Sequence, residues 1–184
     1  VRISINSKIF DSVIPLIGDF QLKNLFMAIL AASSCGLNQN KIFSQINKIK
    51  PVPGRLECVA NLNNSSKIII DFAHTPDALT NVLNEAKAMC KGKLYVVFGC
   101  GGDRDKKKRP LMGKIASKYA DKIIITDDNP RFENPKNIRK EILKCCPNAI
   151  EIGDRKNAII KTIRKLVSGD ILLVAGKGHE NSQE

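Results

Sequence analysis

Between residues 67 and 176 the apolar positions gather into short runs: KIIID (67–71), KLYVVFG (93–99), KIIIT (122–126) and DILLVAG (170–176). Each is of strand length, bounded by turn residues and rich in β-branched side chains. The intervening segments carry apolar residues at helical spacing, which predicts helices near 76–90, 110–119, 135–145 and 154–167. The alternation predicts an α/β fold: a Rossmann-like, mostly parallel sheet with helices on both faces. Ala149 to Ile152 offers one more short strand. Upstream the rhythm differs. Residues 1 to about 14 alternate as strands do, QLKNLFMAILAASSCG predicts a helix stopped at Gly36, and a second helix is expected from Lys41 to Ile49. Pro51-Val52-Pro53-Gly54 breaks any helix and predicts a linker, dividing the chain into residues 1–53 and 54–184.

Composition narrows the class. The 184 residues are 43% hydrophobic and 26% charged, enough for a real core. Lys and Arg number 30 against 18 Asp and Glu, and the net charge of +12 favours polyanionic partners such as nucleotides or phosphorylated precursors. A basic nucleic-acid-binding domain is a rival reading of that charge. It is disfavoured because aromatics are only 5% and are not interleaved with the basic run. Cys35, Cys58, Cys90, Cys100, Cys145 and Cys146 form no C-x-x-C pair, so neither a zinc site nor a disulfide framework is indicated and a reducing cytoplasm fits best. No apolar run reaches the roughly 20 residues that span a bilayer, so no membrane association is expected. The chain opens on Val1 in what reads as a strand begun midway, which suggests a fragment or processed product.

In parallel sheets ligands bind beyond the carboxyl ends of the strands, so the loops there are the first candidates. Four are polar and specific: FAHTPD (72–77), GCGGDRDKKKRP (99–110), TDDNPR (126–131) and AGKGHE (175–180). Thr75-Pro76-Asp77 is a good helix start, and capping alone could explain it. Alternatively, Asp71 and His74 point into a cleft and contact a nucleotide. In the second loop Gly101 and Gly102 allow a close backbone approach, and Arg104 between two aspartates is a ligand candidate, whereas Lys106 to Lys108 read as solvated. No G-x-x-x-x-G-K-[ST] phosphate cradle occurs in the sequence. Arg131 offers a planar fork for a carboxylate, although Asn129-Pro130 is also a common turn. Gly176 and Gly178 free the backbone ahead of His179 and Glu180. Arg104 and Arg131 for carboxylate, with Asp128 and Glu180 for ammonium, suit the zwitterionic end of an amino acid.

GRLE (54–57), DFAHTPDAL (71–79), FGCGGDRDKKKRPLMG (98–113), TDDNPR and AGKGHE, in that order, resemble the C-terminal half of the Mur ligase family. PLIGDFQLKNLFMAILAA (15–32) resembles the end of that family's central ATPase domain, so the resemblance covers nearly the whole chain. It implies that residues 1–53 are a remnant of that domain and 54–184 an amino-acid-binding domain. The DNPR version of the third loop resembles the one that recognises meso-diaminopimelate. On that resemblance Arg104, Asp128, Asn129, Pro130, Arg131, Gly176 and Glu180 would hold the amino acid, Arg131 gripping the carboxylate that lysine lacks. Arg55, Asp71 and His74 would face the nucleotide.

The implied reaction is ATP-dependent. The D-glutamyl side-chain carboxylate of a UDP-N-acetylmuramoyl dipeptide is phosphorylated, and the diaminopimelate amine attacks the acyl phosphate, with Mg2+ bridging the phosphates. The resemblance places the uridine-nucleotide domain, phosphate-binding loop, magnesium ligands and modified lysine upstream of Val1, and a last helical segment beyond Glu184. The chain by itself is therefore expected to be catalytically incomplete. A non-catalytic remnant, or an amino-acid-binding module, is the alternative, and an in-frame phosphate-binding loop upstream would separate the two.

Overall fold

The structure is a computed structural model that describes residues 2–5, 8–11, 13–14 and 16–180. The strand character expected over residues 1 to about 14 thus falls partly outside the described residues, at 1, 6, 7 and 12. The chain divides into two compact units, Val1–Val52 and Pro53–Glu184.

In the first unit β1 (Arg2–Ile5) and β2 (Lys8–Asp11) pair antiparallel. Helix α1 (Asp19–Ser34) follows, and the chain reverses through Gly36 at φ 82°. Helix α2 (Gln39–Ile46) begins two residues before the expected Lys41, because the Asn38 side chain accepts the Asn40 N–H at 2.9 Å and caps it. Ile3, Leu25, Ile29 and Ile46 form the buried centre of this unit.

The second unit carries the parallel sheet. Its elements are β3 (Glu57–Asn61), β4 (Lys67–Asp71), α3 (Pro76–Met89), β5 (Leu94–Phe98), α4 (Lys108–Tyr119), β6 (Lys122–Ile125), α5 (Pro135–Leu143), β7 (Ile150–Glu151), α6 (Arg155–Ile163) and β8 (Ile171–Ala175). Among the described residues these strands form one sheet in the order β3-β4-β8-β5-β6-β7, parallel throughout except where β3 runs antiparallel to β4. All residues of β5 and β8 are buried, as central strands covered on both faces require. From β4 the chain moves outward to β5, β6 and β7 through α3, α4 and α5, then returns through α6 to β8. Right-handed crossovers in opposite directions place α6 on the other face. There Ala158, Ile159 and Ile163 of α6 pack on Tyr95, Val97, Ile124 and Leu172. On the first face α4 approaches α5 closely at Gly113, where a Cβ would strike the Ile142 carbonyl.

The four expected strands and the further one at Ala149 to Ile152 are present, and so are the helices. Strand β3 is an addition: an edge strand with a half-exposed side-chain pattern and a register shift between Cys58 and Ala60, so it carries neither a solid apolar run nor a clean alternation. Helix α6 stops at Ile163 rather than 167. Among the described residues no helix is long and apolar enough to cross a membrane.

Candidate functional site

Because β4, β8, β5 and β6 are parallel, the loops that leave them share one rim of the sheet. There they enclose a cleft of about 540 Å³. The first loop contributes Phe72 and His74, the second Gly99 to Gly101, Arg104 and Lys108, the third Asp128, Asn129 and Arg131, and the fourth Gly176 and Glu180. The structure therefore brings Arg104, Asp128, Asn129, Arg131, Gly176, Glu180 and His74 to one place. Arg55, Asp71 and Pro130 lie outside the lining.

The second and third loops are built against each other. Gly102 donates its N–H to the Asn129 carbonyl at 2.8 Å, and Arg131 Nη1 donates to the Gly102 carbonyl at 2.8 Å. Gly102 must be glycine, since a Cβ there would overlap the Pro130 carbonyl. Asp103 and Arg131 hold left-handed φ values of 51° and 52°, strain that typically costs about 1–3 kcal/mol per residue and persists only where surroundings enforce it. The enforcement is visible. Phe132 donates its N–H to Asp103 Oδ2 at 3.1 Å, and Asp103 donates its own to Glu133 Oε1 at 2.6 Å. Arg109, wholly buried, then fixes Glu133 and Glu141. Pro130 acts through its carbonyl, which accepts the Glu133 N–H at 3.0 Å and closes the turn.

The fourth loop leaves β8 at Gly176 (φ 111°), whose N–H reaches the Asp71 carbonyl at 3.0 Å. A Cβ on Gly176 would stand 3.1 Å from Asp128 Oδ2. Lys177, which the sequence reading passed over, is buried and donates Nζ to Asn129 Oδ1 at 2.8 Å, with Glu180 Oε2 at 3.4 Å. Opposite them Arg104 is exposed and makes no hydrogen bond or ion pair among the described residues. The cleft thus presents two guanidinium groups and two carboxylates, the polarity pattern an amino-acid terminus needs.

The first loop is held by Asp71. This buried carboxylate accepts the N–H groups of Leu56 and Ala73, each at 2.7 Å, and so braces Leu56 at φ 45°. Burial pushes its pKa up, while the two amides and nearby Arg55 oppose the rise. Arg55 lies 4.7 Å over the Phe72 ring, His74 meets that ring edge-on at 4.8 Å, and His179 stacks on it at 6.1 Å. Thr75 caps α3 as expected, accepting the Ala78 N–H at 3.3 Å. Lys108 departs from the solvated reading: its Nζ donates to the His74 carbonyl at 2.8 Å. Cys100 is no nucleophile, because burial pushes its thiol up to about 12. Among the described residues no group of three or more His, Cys, Asp or Glu is arranged to hold a metal ion.

The profile of the family described as Mur ligase, glutamate ligase domain matches residues 54–178, all four loops included except the end of the fourth. The chain belongs to the Mur ligase family. Among curated relatives of this Mur ligase chain, the UDP-N-acetylmuramoyl-L-alanyl-D-glutamate--2,6-diaminopimelate ligase of Rickettsia typhi is 50% identical, over 97% of this chain and 36% of the relative. The protein of the same name from Chelativorans sp. is 49% identical, over 96% of this chain and 36% of the relative. A solved diaminopimelate ligase of that name superposes with a TM-score of 0.70 at 38% identity, covering 97% of this chain and 37% of the other. This Mur ligase chain therefore spans little more than a third of the length of the curated relatives it matches.

Proposed function

We propose that this chain is the amino-acid-binding part of an ATP-dependent ligase that joins meso-diaminopimelate to UDP-N-acetylmuramoyl-L-alanyl-D-glutamate in peptidoglycan precursor synthesis. The observation that carries the reading is the convergence of Arg104, Arg131, Asp128 and Glu180 on one cleft of about 540 Å³. The names of the similar proteins point to the same substrate pair. Diaminopimelate carries two amino-acid ends. One amine must remain free to react, so the site grips the distal end: Arg131 and Arg104 take its carboxylate, Asp128 and Glu180 its ammonium, and Asn129 and Gly176 supply polar backbone and amide groups. Pro130 shapes the turn that aims Arg131.

In the proposed reaction ATP transfers its terminal phosphoryl group to the glutamyl side-chain carboxylate, giving an acyl phosphate and ADP. The free amine attacks the acyl carbon, phosphate leaves, and a proton is lost from nitrogen. Holding the amino acid turns the attack into an effectively intramolecular step. Arg55, Asp71 and His74 are proposed to face the nucleotide, Asp71 by bracing the loop and Arg55, His74 and Phe72 by presenting a cationic and aromatic surface. Phosphate and magnesium binding are proposed for the further part of a longer protein, since the chain spans little more than a third of its curated relatives' length. Residues 1–53 are proposed to be the end of that protein's central ATP-binding domain, consistent with the exposure of Phe26, Met27 and Leu30 on α1. The absence of paired cysteines supports a reducing cytoplasm as its location.

Calorimetric titration of the chain with meso-diaminopimelate and with lysine tests the substrate assignment. Saturable binding of diaminopimelate alone is expected. Equal binding of both, or of neither, would overturn a preformed specificity site.

A further inference from the structure

Arg155 begins α6, at the positive end of a helix dipole, and only 9% of it is exposed. Both circumstances penalise a cation. The carboxylates of Asp128 and Glu180 act on it as charges. Its donors go to two backbone carbonyls, Nη2 to Ala175 at 2.8 Å and Nη1 to Asp127 at 3.5 Å. Those carbonyls immediately precede Gly176 and Asp128, the points at which the fourth and third loops enter the cleft.

Lys177 ties the same two loops at the cleft through Asn129 Oδ1, and the topology gives the Arg155 bridge a separate role at their base. Strands β8 and β6 are not neighbours, because β5 lies between them. Their ends are therefore roughly 9–10 Å apart, and no ladder bond can set the separation of the loops that leave them. A guanidinium, with donors fanned across a rigid plane, reaches both; an ammonium is a point charge and does not. We infer that Arg155 is a positioning residue for the amino-acid site, a strap that fixes the spacing of the TDDNPR and AGKGHE loops from beneath. The inference rests on the proposed amino-acid site. Burial works against the charge of this guanidinium, and the Asp128 and Glu180 charges above it work in its favour, so the strap and the acidic side of the cleft support each other.

The test uses the whole 184-residue chain with Arg155→Lys, and Arg155→Gln as a second variant should the first fail to fold. Two quantities are read: affinity for meso-diaminopimelate and backbone amide exchange. The expected result is an affinity loss of about tenfold or more, as for a charge-assisted bond removed. Exchange should quicken at Gly102, whose amide bonds Asn129 of the third loop, at Glu180, whose amide bonds Lys177 within the fourth, and at Gly176, whose amide ties the start of the fourth loop to the end of β4, while Val97 in the central strand keeps its protection. Unchanged exchange in both loops would overturn the strap. So would an equal acceleration at Val97, which marks a general stabilising role. Should the unaltered chain bind no diaminopimelate, the amino-acid site itself fails, and the exchange pattern still decides whether Arg155 ties the loops together.

Discussion

Arg109 meets Glu133 as a two-bond fork, Nη1 to Oε2 at 3.0 Å and Nη2 to Oε1 at 2.8 Å, with the arginine wholly buried and the glutamate 17% exposed. The same guanidinium bonds Glu141 at 2.9 Å and the Gly101 carbonyl at 3.2 Å. One side chain from the first turn of α4 thus holds α5, the glycine loop and the segment just after Arg131. Geometry at the cleft is in this way tied to packing behind it.

Replacing Arg109 with Met should therefore destabilise the second unit strongly. Removing one partner of a buried pair costs about 3–5 kcal/mol, and the lower end applies here because Glu133 and Glu141 can regain water. Denaturant unfolding would show a lower midpoint with an unchanged slope. A loss below about 1 kcal/mol, the range of surface pairs, would mean the fork is not what holds the loops.

The pH dependence follows from the same pair. Arg109 first, then the Asp103 N–H, holds the Glu133 carboxyl down to about 2, against an ordinary value of 4.5. A folded pKa below the unfolded one stabilises above the unfolded value and is lost as pH falls toward the folded one. The stability gap between the unaltered chain and Glu133→Gln should be constant above about pH 5.5 and shrink as pH falls through 4.5 toward 2. A gap independent of pH over that window would show that the carboxylate charge contributes nothing.

Much of this architecture was legible in the sequence because the buried strands are apolar throughout and sit between helices of ordinary length. Lys67–Asp71 begins and ends where the pattern placed it. The loops were legible for the same reason, since a parallel sheet sends all its strand-to-helix loops to one rim. What stayed hidden depends on side-chain direction across long sequence separations. Arg109 read as part of a basic run, yet it is the one member of that run turned fully inward, toward Glu133 and Glu141. Asp71 read as a ligand candidate, yet both its oxygens serve backbone amides. Arg155 carried no motif at all. Only the pairing order, with β5 between β6 and β8, gives its reach a purpose.

Gly102→Ala should disturb the cleft from the opposite side. The added methyl would overlap the Pro130 carbonyl, so either the glycine loop or the DNPR turn must retreat. Overpacking of this kind costs typically about 1–3 kcal/mol, which for a chain of this length lowers the melting temperature by about 2–4 °C per kcal/mol. The Gly102 to Asn129 bond should be lost with it, visible as faster exchange of the Gly102 amide. A variant that melts unchanged and keeps that protection would show that the two loops have slack between them.

Arg131→Ala is the sharpest test of the substrate. Its guanidinium reaches the Gly102 carbonyl with Nη1, an anchor that leaves the planar group at the cleft wall where the distal carboxylate of diaminopimelate is proposed to sit. A charge-assisted carboxylate bond is worth roughly 1.5–3 kcal/mol, so the alanine variant should bind meso-diaminopimelate about ten- to a hundredfold more weakly. Lysine lacks that carboxylate and should be affected far less, so discrimination between the two should collapse. Arg131→Lys restores the charge without the two-pronged geometry and should recover only part of the difference. If discrimination survives the alanine substitution, the carboxylate is held elsewhere, and Arg104, which has no partner among the described residues, is the group to replace next.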